Sequence, residues 1–319
     1  MNINASKAKR SYAIIGAGAL GGFYGAKLQL SGLDVHYLLQ SDYEYVKEHG
    51  LIVDSVDENF ILPQVNCYNQ IEEIPFCDVV LVALKTTQNH LLRKILPSLV
   101  RDNVTVLLLQ NGLGVEAEIA QIIPKASIVG GVSFLCSNKL GPGHIRHLDY
   151  GQIILGQYAL NNLAAGITAT MQKIGQDFIE AGISIEFEED LFLARWKKLV
   201  WNIPFNGLSV VLDAPTDQLM THLPTRELVK SLMFEVQRAA GGYGRSISLE
   251  FIENMLIHTK QMTPYLTSMK LDYDKRRAME IESMFGNPLR AAQKIGVATP
   301  KIEMLYQQLK FLDARTSNP

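Results

Sequence analysis

Six residues, Gly16-Ala17-Gly18-Ala19-Leu20-Gly21, stand between a short apolar run at 11–15 and a helix-like stretch that reaches Leu30. Glycine at the first, third and sixth places of such a turn constrains the fold more than any other feature of the chain. The first lets a strand turn sharply into a helix, the second leaves room beside the backbone, and the third lets the helix lie close on the strand. The helix start presents unpaired N–H groups and the positive end of the helix dipole. A strand, a glycine turn and a helix in this order predict the opening unit of a doubly wound sheet. Gly16, Gly18, Ala19, Leu20 and Gly21 are then the expected cradle of a dinucleotide pyrophosphate. The plainer alternative is a glycine-rich turn that only packs a helix on a sheet.

Downstream segments extend the same pattern. Residues 34–39 read as a second strand, and 78–84 and 104–109 are continuous apolar runs rich in β-branched residues. Such runs suit parallel strands covered on both faces. Helical patterns at 88–100 and 114–122 lie between them. From 128 to 156 the texture changes to short strands with the turn signals Gly141-Pro142-Gly143 and Asp149-Tyr150-Gly151, which predict antiparallel additions at the sheet edge. A helix at 164–181 and a strand at 183–187 complete the first domain.

After Glu188 strand signals fade, and helices are expected at 190–212, 225–244, 248–258, 264–294 and 300–313. Thr263-Pro264 resembles an N-cap with proline at the first helical position, Gly296 suits a helix end, and Thr299-Pro300 restarts a helix. The reading is an α/β Rossmann-type doubly wound sheet over 1–188 and an all-α domain over 189–319, with 1–9 and 316–319 frayed.

Composition supports two cores: 319 residues, 47% of them hydrophobic and 19% charged. A net charge of −2 with no basic stripe excludes nucleic acid and anionic membrane as natural partners. Three cysteines, Cys67, Cys77 and Cys136, point to a reducing compartment rather than a disulfide framework. No apolar run approaches the ~18–20 residues of a membrane span. A cytosolic protein without a signal peptide is expected.

Candidate chemistry lies at strand ends and on one helix. An acid at the tip of the second strand would favour NAD, and an arginine NADP. The chain offers Gln40, then Ser41 and Asp42, and Gln40 commits to neither. Lys85, after the run at 79–84, could meet a 2′-phosphate or be an ordinary solvated lysine. Asn111, in Gln110-Asn111-Gly112, could bond ribose or substrate, or simply form a turn.

Lys198, Asn202 and Asn206 are spaced four apart. Each step of four advances a helix about 400°, so the three drift only about 80° around the axis. One cation and two amides then face one way, among apolar neighbours. That suits holding a small oxygen-rich molecule and giving it a proton. Pro204 should kink this helix. The alternative is a solvated Lys197-Lys198 pair with core asparagines. Ser268 and Glu280, twelve residues apart, would stand about 120° apart on a straight helix, so spacing alone does not join them. His144 and His147 lack a third ligand, and no His-Glu-x-x-His or Gly-x-Ser-x-Gly occurs, so no metal site and no serine nucleophile is expected.

Together these residues resemble the ketopantoate reductase family, the 2-dehydropantoate 2-reductases. The resemblance runs from about Tyr12 to about Leu312. It rests on 16–22 (GAGALGG), Leu84-Lys85, Gln110-Asn111-Gly112, 141–147 (GPGHIRH), and 196–199 (WKKL) with Asn202 and Asn206. It ends with Ser268-Met269 and Glu280-Ile281. It implies NADPH-dependent reduction of 2-dehydropantoate to pantoate, a step toward pantothenate and coenzyme A. Lys198 is then the catalytic acid that protonates the carbonyl oxygen, and Glu280 its acidic partner. Asn202, Asn206 and Ser268 bind substrate oxygens, and Asn111 bridges cofactor and substrate.

Two positions depart from the family. Gln40 stands where the family usually has an arginine on the 2′-phosphate, so NADP is expected and NAD is not excluded. Gly207 follows Asn206 where the family often has proline. The expected partner is a small 2-oxo acid, and the expected assembly a monomer or homodimer. A related 2-oxo or 3-hydroxy acid dehydrogenase is the nearest alternative. A non-catalytic NAD(P)-binding redox sensor is a third reading, but a sensor has no need of Lys198 and its amides.

Overall fold

A computed structural model describes residues 9–262, 264 and 266–317. Thr263 of the expected Thr263-Pro264 cap, residues 1–8, and 318–319 at the expected frayed end lie outside the described residues. The chain divides into two compact units: Met1–Gln110 with Glu116–Leu191, and Asn111–Val115 with Phe192–Pro319.

The first unit is built on one sheet. Its strands are β1 (Ser11–Ile15), β2 (Asp34–Leu38), β3 (Leu51–Ser55), β4 (Phe60–Leu62), β5 (Asn66–Tyr68), β6 (Val79–Val82), β7 (Thr105–Leu108), β8 (Ser127–Gly141), β9 (His144–Gln157) and β10 (Ile185–Phe187). The helices among them are α1 (Ala19–Leu30), α2 (Tyr43–His49), α3 (Asn89–Leu99), α4 (Val115–Ile122) and α5 (Ala169–Glu180). The strand order is β4-β3-β9-β8-β7-β6-β1-β2-β5, with β10 also on β9. From β8 through β7, β6, β1 and β2 to β5 every pairing is parallel.

Alternation along these strands explains why the runs are apolar throughout. Tyr12, Ile14, Leu81, Leu107 and Val129 face one side, where Phe23 and Leu28 of α1 and Ile174 and Phe178 of α5 cover them. Ala13, Ile15, Val80, Val82 and Leu108 face the other, under Leu92 and Leu96 of α3 and Ile119 of α4. Helices on both faces of a parallel sheet make a doubly wound fold, as the apolar runs predicted.

The antiparallel pair β8–β9 forms as expected but does not edge the sheet. β9 is long enough to hold two further neighbours, β3 along His144–His147 and β10 along Ile153–Leu155, both parallel to it. The strands missed in the sequence, β3 to β5, are three to five residues long, too short to show a period. The expected helix at 164–181 begins only at Ala169, because the Thr168 hydroxyl accepts the Met171 N–H at 3.2 Å and caps it there.

The second unit is helical: α6 (Leu191–Val211), α7 (Thr216–Thr221), α8 (Leu223–Gly242), α9 (Leu249–Gln261), α10 (Ser268–Asp274), α11 (Asn287–Lys294) and α12 (Pro300–Ser317), with a π turn at Glu282–Gly286. Trp196, Ile203 and Phe205 of α6 centre its core, with Met233 and Val236 of α8, Phe285 and Leu309.

α6 runs as one helix through Pro204, in a stretch where Asn202 through Val210 are all buried. One expectation needs correction: the helix expected over 264–294 is broken. Thr267 caps α10 by accepting the Lys270 N–H at 3.3 Å. After Asp274 the chain turns through Arg276, at φ +51°. Arg277 folds back on Asp272, its N–H reaching the Asp272 carbonyl at 2.8 Å and its guanidinium the buried carboxylate at 2.8 Å. Local charge pairing and a left-handed residue override the helical period here.

Candidate active site

In the first unit each glycine of the turn has its own reason. Gly16 has φ +97°, and a Cβ there would stand 2.5 Å from the Leu84 nitrogen. A Cβ at Gly21 would collide with the Gly16 carbonyl and stand 2.9 Å from the Ala83 Cβ. Gly18 differs: a Cβ there meets nothing within 4 Å. Gly18 is also the N-cap of α1, with no side-chain cap and no acidic residue in the first turn. The amides of Ala19, Leu20 and Gly21 open that helix. Two glycines therefore serve packing, and the third leaves an uncovered approach to a helix N-terminus. That fits a dinucleotide pyrophosphate.

The glycine turn is set beside the end of β6. Ala83 N–H donates to the Ile15 carbonyl at 2.8 Å, and Lys85 follows two residues later. Gln110 Nε2 fixes that end by donating to the Leu84 carbonyl at 2.8 Å and to Asn89 Oδ1 at 2.7 Å, while Asn89 Nδ2 donates to Glu118 at 2.8 Å. Gln110 stood next to Asn111 in the sequence, yet nothing there signalled this role, because its partners lie on other elements.

At the tip of β2, Gln40 is exposed. Asp42 is only 6% exposed. Its carboxylate accepts Lys139 Nζ at 2.5 Å, the Gly143 N–H at 3.2 Å and the Ser41 hydroxyl at 3.0 Å. Burial by itself would raise this carboxyl, but Lys139 and the Gly143 N–H hold it below its ordinary value. The acid that could repel a 2′-phosphate is thus already paired with a cation.

In the second unit, α6 carries Lys198, Asn202 and Asn206. Lys198 is partly buried, with Nζ 5.9 Å from the centre of the Trp201 ring. Asn202 is 3% exposed and Asn206 2%. Asn206 Oδ1 accepts the Met269 N–H at 3.3 Å. Ser209 donates to the Asn206 carbonyl at 3.1 Å and shares a 2.8 Å bond with Thr267. This buried chain joins α6 to the start of α10 and sets Asn206 against the segment that holds Ser268. Ser209 and Thr267 were not singled out in the sequence, since neither has a spacing that marks it. Gly207 lies where a Cβ would collide with the Leu305 side chain of α12 and stand 3.0 Å from the Phe285 ring, so this position is small because α12, and next the π turn, pack there.

Glu280, 8% exposed, sits on a non-helical stretch before the π turn rather than on a helix shared with Ser268. The 120° separation of a straight helix therefore does not apply. Its carbonyl accepts the Met284 N–H at 3.2 Å and the Ser283 hydroxyl at 3.3 Å. The loop of Asn111 is fastened to the same turn: Leu113 N–H donates to the Ser283 carbonyl at 2.9 Å, and Asn287 Nδ2 donates to the Leu113 carbonyl at 2.7 Å. So Asn111, Lys198, Asn202, Asn206, Ser268 and Glu280 all belong to the second unit, while Gly16 to Gly21, Gln40 and Lys85 belong to the first.

The histidines are occupied structurally. His144 pairs with Asp54 at 2.9 Å, and His147 bridges Ser55 and the Tyr150 carbonyl. Among the described residues no cluster of His, Cys, Asp or Glu is arranged to hold a metal, and no helix is long and apolar enough to cross a membrane.

Known proteins match this arrangement over almost its whole length. The family model described as "Ketopantoate reductase PanE/ApbA" matches residues 12–159, and its C-terminal companion matches 190–313. A 2-dehydropantoate 2-reductase of Nostoc sp. is 61% identical over 307 residues, 96% of each chain. The crystal structure of a 2-dehydropantoate 2-reductase from Geobacter metallireducens superposes with a TM-score of 0.90 at 41% identity, covering 94% of this chain and 99% of that one. One from Methylococcus capsulatus gives 0.88 at 30%, covering 97% and 98%.

Proposed function

The chain belongs to the ketopantoate reductase family, and from that premise we propose that it reduces 2-dehydropantoate to pantoate with NADPH, as a cytosolic monomer or homodimer. The observation that carries the reading is the polar row of α6: a lysine and two buried amides on a helix whose Trp196, Ile203 and Phe205 pack into an apolar core. Buried amides without a purpose would be costly, and Asn206 is held in place by a further buried network.

A reduced nicotinamide dinucleotide, when bound, would supply the hydride for C2 of the 2-oxo acid. Lys198 stabilises the charge that develops on the carbonyl oxygen and gives it a proton, help of a kind typically worth about 10²–10⁴-fold. Asn202 and Asn206 hold substrate oxygens without adding charge. Asn206 Oδ1 is engaged by Met269 N–H, so its amide NH2 is the group left to donate to substrate. Ser268 adds a hydroxyl, Glu280 offsets and directs the lysine, and Asn111 bonds both substrate and cofactor. On the cofactor side, Gly16, Gly18, Ala19, Leu20 and Gly21 hold the pyrophosphate. Lys85 supplies the cation for the 2′-phosphate, with Gln40 as a neutral neighbour and Asp42 silenced by Lys139.

The test is steady-state oxidation of NADPH and NADH against 2-dehydropantoate and a panel of other 2-oxo acids. The highest kcat/KM is expected with 2-dehydropantoate and NADPH. A tenfold better 2-oxo acid would move the chain to a related dehydrogenase, and cofactor binding without turnover on any substrate would leave a sensor.

A further inference from the structure

We infer that the π turn at Glu282–Gly286 is a clamp that positions Asn111, and that Asn287 is its positioning residue. The inference rests on the reading of Asn111 as a group that touches substrate and cofactor. A π turn shifts the hydrogen-bond register of a helix by one residue, and such turns often sit at functional sites. Here Asn287 N–H donates to the carbonyl of Glu282, five residues back. In the same register the Ser283 carbonyl would take its donor from residue 288. Residue 288 is proline, which has no N–H. The donor that reaches Ser283 instead comes from a distant part of the chain, the Leu113 N–H at 2.9 Å.

The rest of the clamp is built around this exchange. The loop lies so near the turn that a Cβ on Gly112 would collide with the Ser283 carbonyl, and Gly112 has φ +101°. Asn287 closes the other side, its Nδ2 donating to the Leu113 carbonyl at 2.7 Å. The direction of that amide is fixed from behind: Arg290 donates to Asn287 Oδ1 at 2.7 Å and to Glu282 at 2.9 Å. Glu282 in turn accepts Tyr306 at 2.8 Å and Lys310 at 3.1 Å, which ties the turn to α12. Ser283 also bonds the Glu280 carbonyl through its hydroxyl. One residue therefore spaces Asn111 and Glu280 relative to each other, through its main chain on one side and its side chain on the other.

The experiment uses the full chain with Asn287→Ala, Asn111→Ala and the double variant. Two readouts are taken: amide hydrogen exchange over 111–115, and kcat/KM for 2-dehydropantoate. Asn287→Ala is expected to speed exchange over 111–115 by tenfold or more, with the α6 amides unchanged, and to lower kcat/KM about tenfold. In the Asn111→Ala background the same change is expected to cost almost nothing further, because Asn287 acts through Asn111. Unchanged exchange overturns the clamp itself. Faster exchange with additive kinetic losses overturns its positioning role, since a purely structural residue would damage both backgrounds alike. Full activity of Asn111→Ala alone removes Asn111 from the site and the clamp's function with it, while the exchange result still reports whether the clamp exists. Should Asn287→Ala fail to fold, Arg290→Met, an exposed change that releases the Asn287 amide together with the Arg290 bond to Glu282, carries the same test with a smaller effect.

Discussion

At the scale of single residues, Asn206 is part of a core, its Oδ1 accepting a buried main-chain N–H at Met269, and we propose that its NH2 also serves the site by donating to substrate. Asn206→Ala should therefore lower thermal stability and also weaken kcat/KM by roughly 1–3 kcal/mol, the usual consequence of leaving a buried partner unpaired. Lost stability with unchanged kinetics would make it a core amide only. Lys198 is the sharper case. Lys198→Ala should cut kcat by about 10²-fold or more while leaving the fold and NADPH affinity intact. Near-normal turnover would take it out of the mechanism. At the tip of β2, Gln40 is exposed and uncharged. Gln40→Arg should tighten NADPH about tenfold, since a charge-assisted bond is worth about 1.5–3 kcal/mol, and leave NADH nearly unchanged. Lys85→Ala should weaken NADPH selectively, and equal loss of both cofactors would refute its assignment.

At the scale of elements, the glycine turn separates packing from binding within six residues. Gly16→Ala and Gly21→Ala push a methyl into the end of β6 and into the turn itself, so both should lower the melting temperature. Gly18→Ala enters open space and should leave stability within about 0.5 kcal/mol of wild type, yet weaken dinucleotide binding. Calorimetric titration beside thermal melts distinguishes the three, and a Gly18 variant that binds normally would mean that no ligand approaches this turn. The sequence announced this element well because its glycine spacing and its strand and helix flanks are local, although Gly16 and Gly21 also pack on Leu84 and Ala83. It announced the stretch from 264 to 294 badly. The period there is helical, but the break is set by Asp272 and Arg277 folding on each other and by Arg276 in a left-handed conformation.

At the scale of the whole molecule, each compact unit owns its hydrophobic clusters: two sandwich the sheet, and one fills the helical unit and takes in Leu113. We propose that these units are the two domains, with the exchange of chain at Leu191 and Phe192 and with Asn111–Val115 counted among the helices. Long-range pairing leaves a pH signature in the first of them. Despite its burial, Asp42 is held below its ordinary 3.8 by Lys139 on β8, so the pair stabilises the fold fully above that value and loses its contribution as pH falls through the folded pKa. Urea unfolding of Asp42→Asn should show its whole deficit at neutral pH and a shrinking one below 3.8. A deficit that stays constant into acid would mean the carboxylate charge is not what matters.

The α/β and all-α halves, the glycine turn and the polar row of α6 were all legible in the order of amino acids alone. Those features depend on period, spacing and turn chemistry, which act over a few residues. Packing settled the rest. Asp42 is neutralised by a lysine almost a hundred residues away, and Gln110 braces the strand end before Lys85. The loop of Asn111 is held by a carbonyl whose helical donor a proline removed. Each of these is a partnership between groups far apart in the chain. A hydrogen bond or ion pair of that kind leaves no period in either segment, because its geometry exists only once the elements have packed.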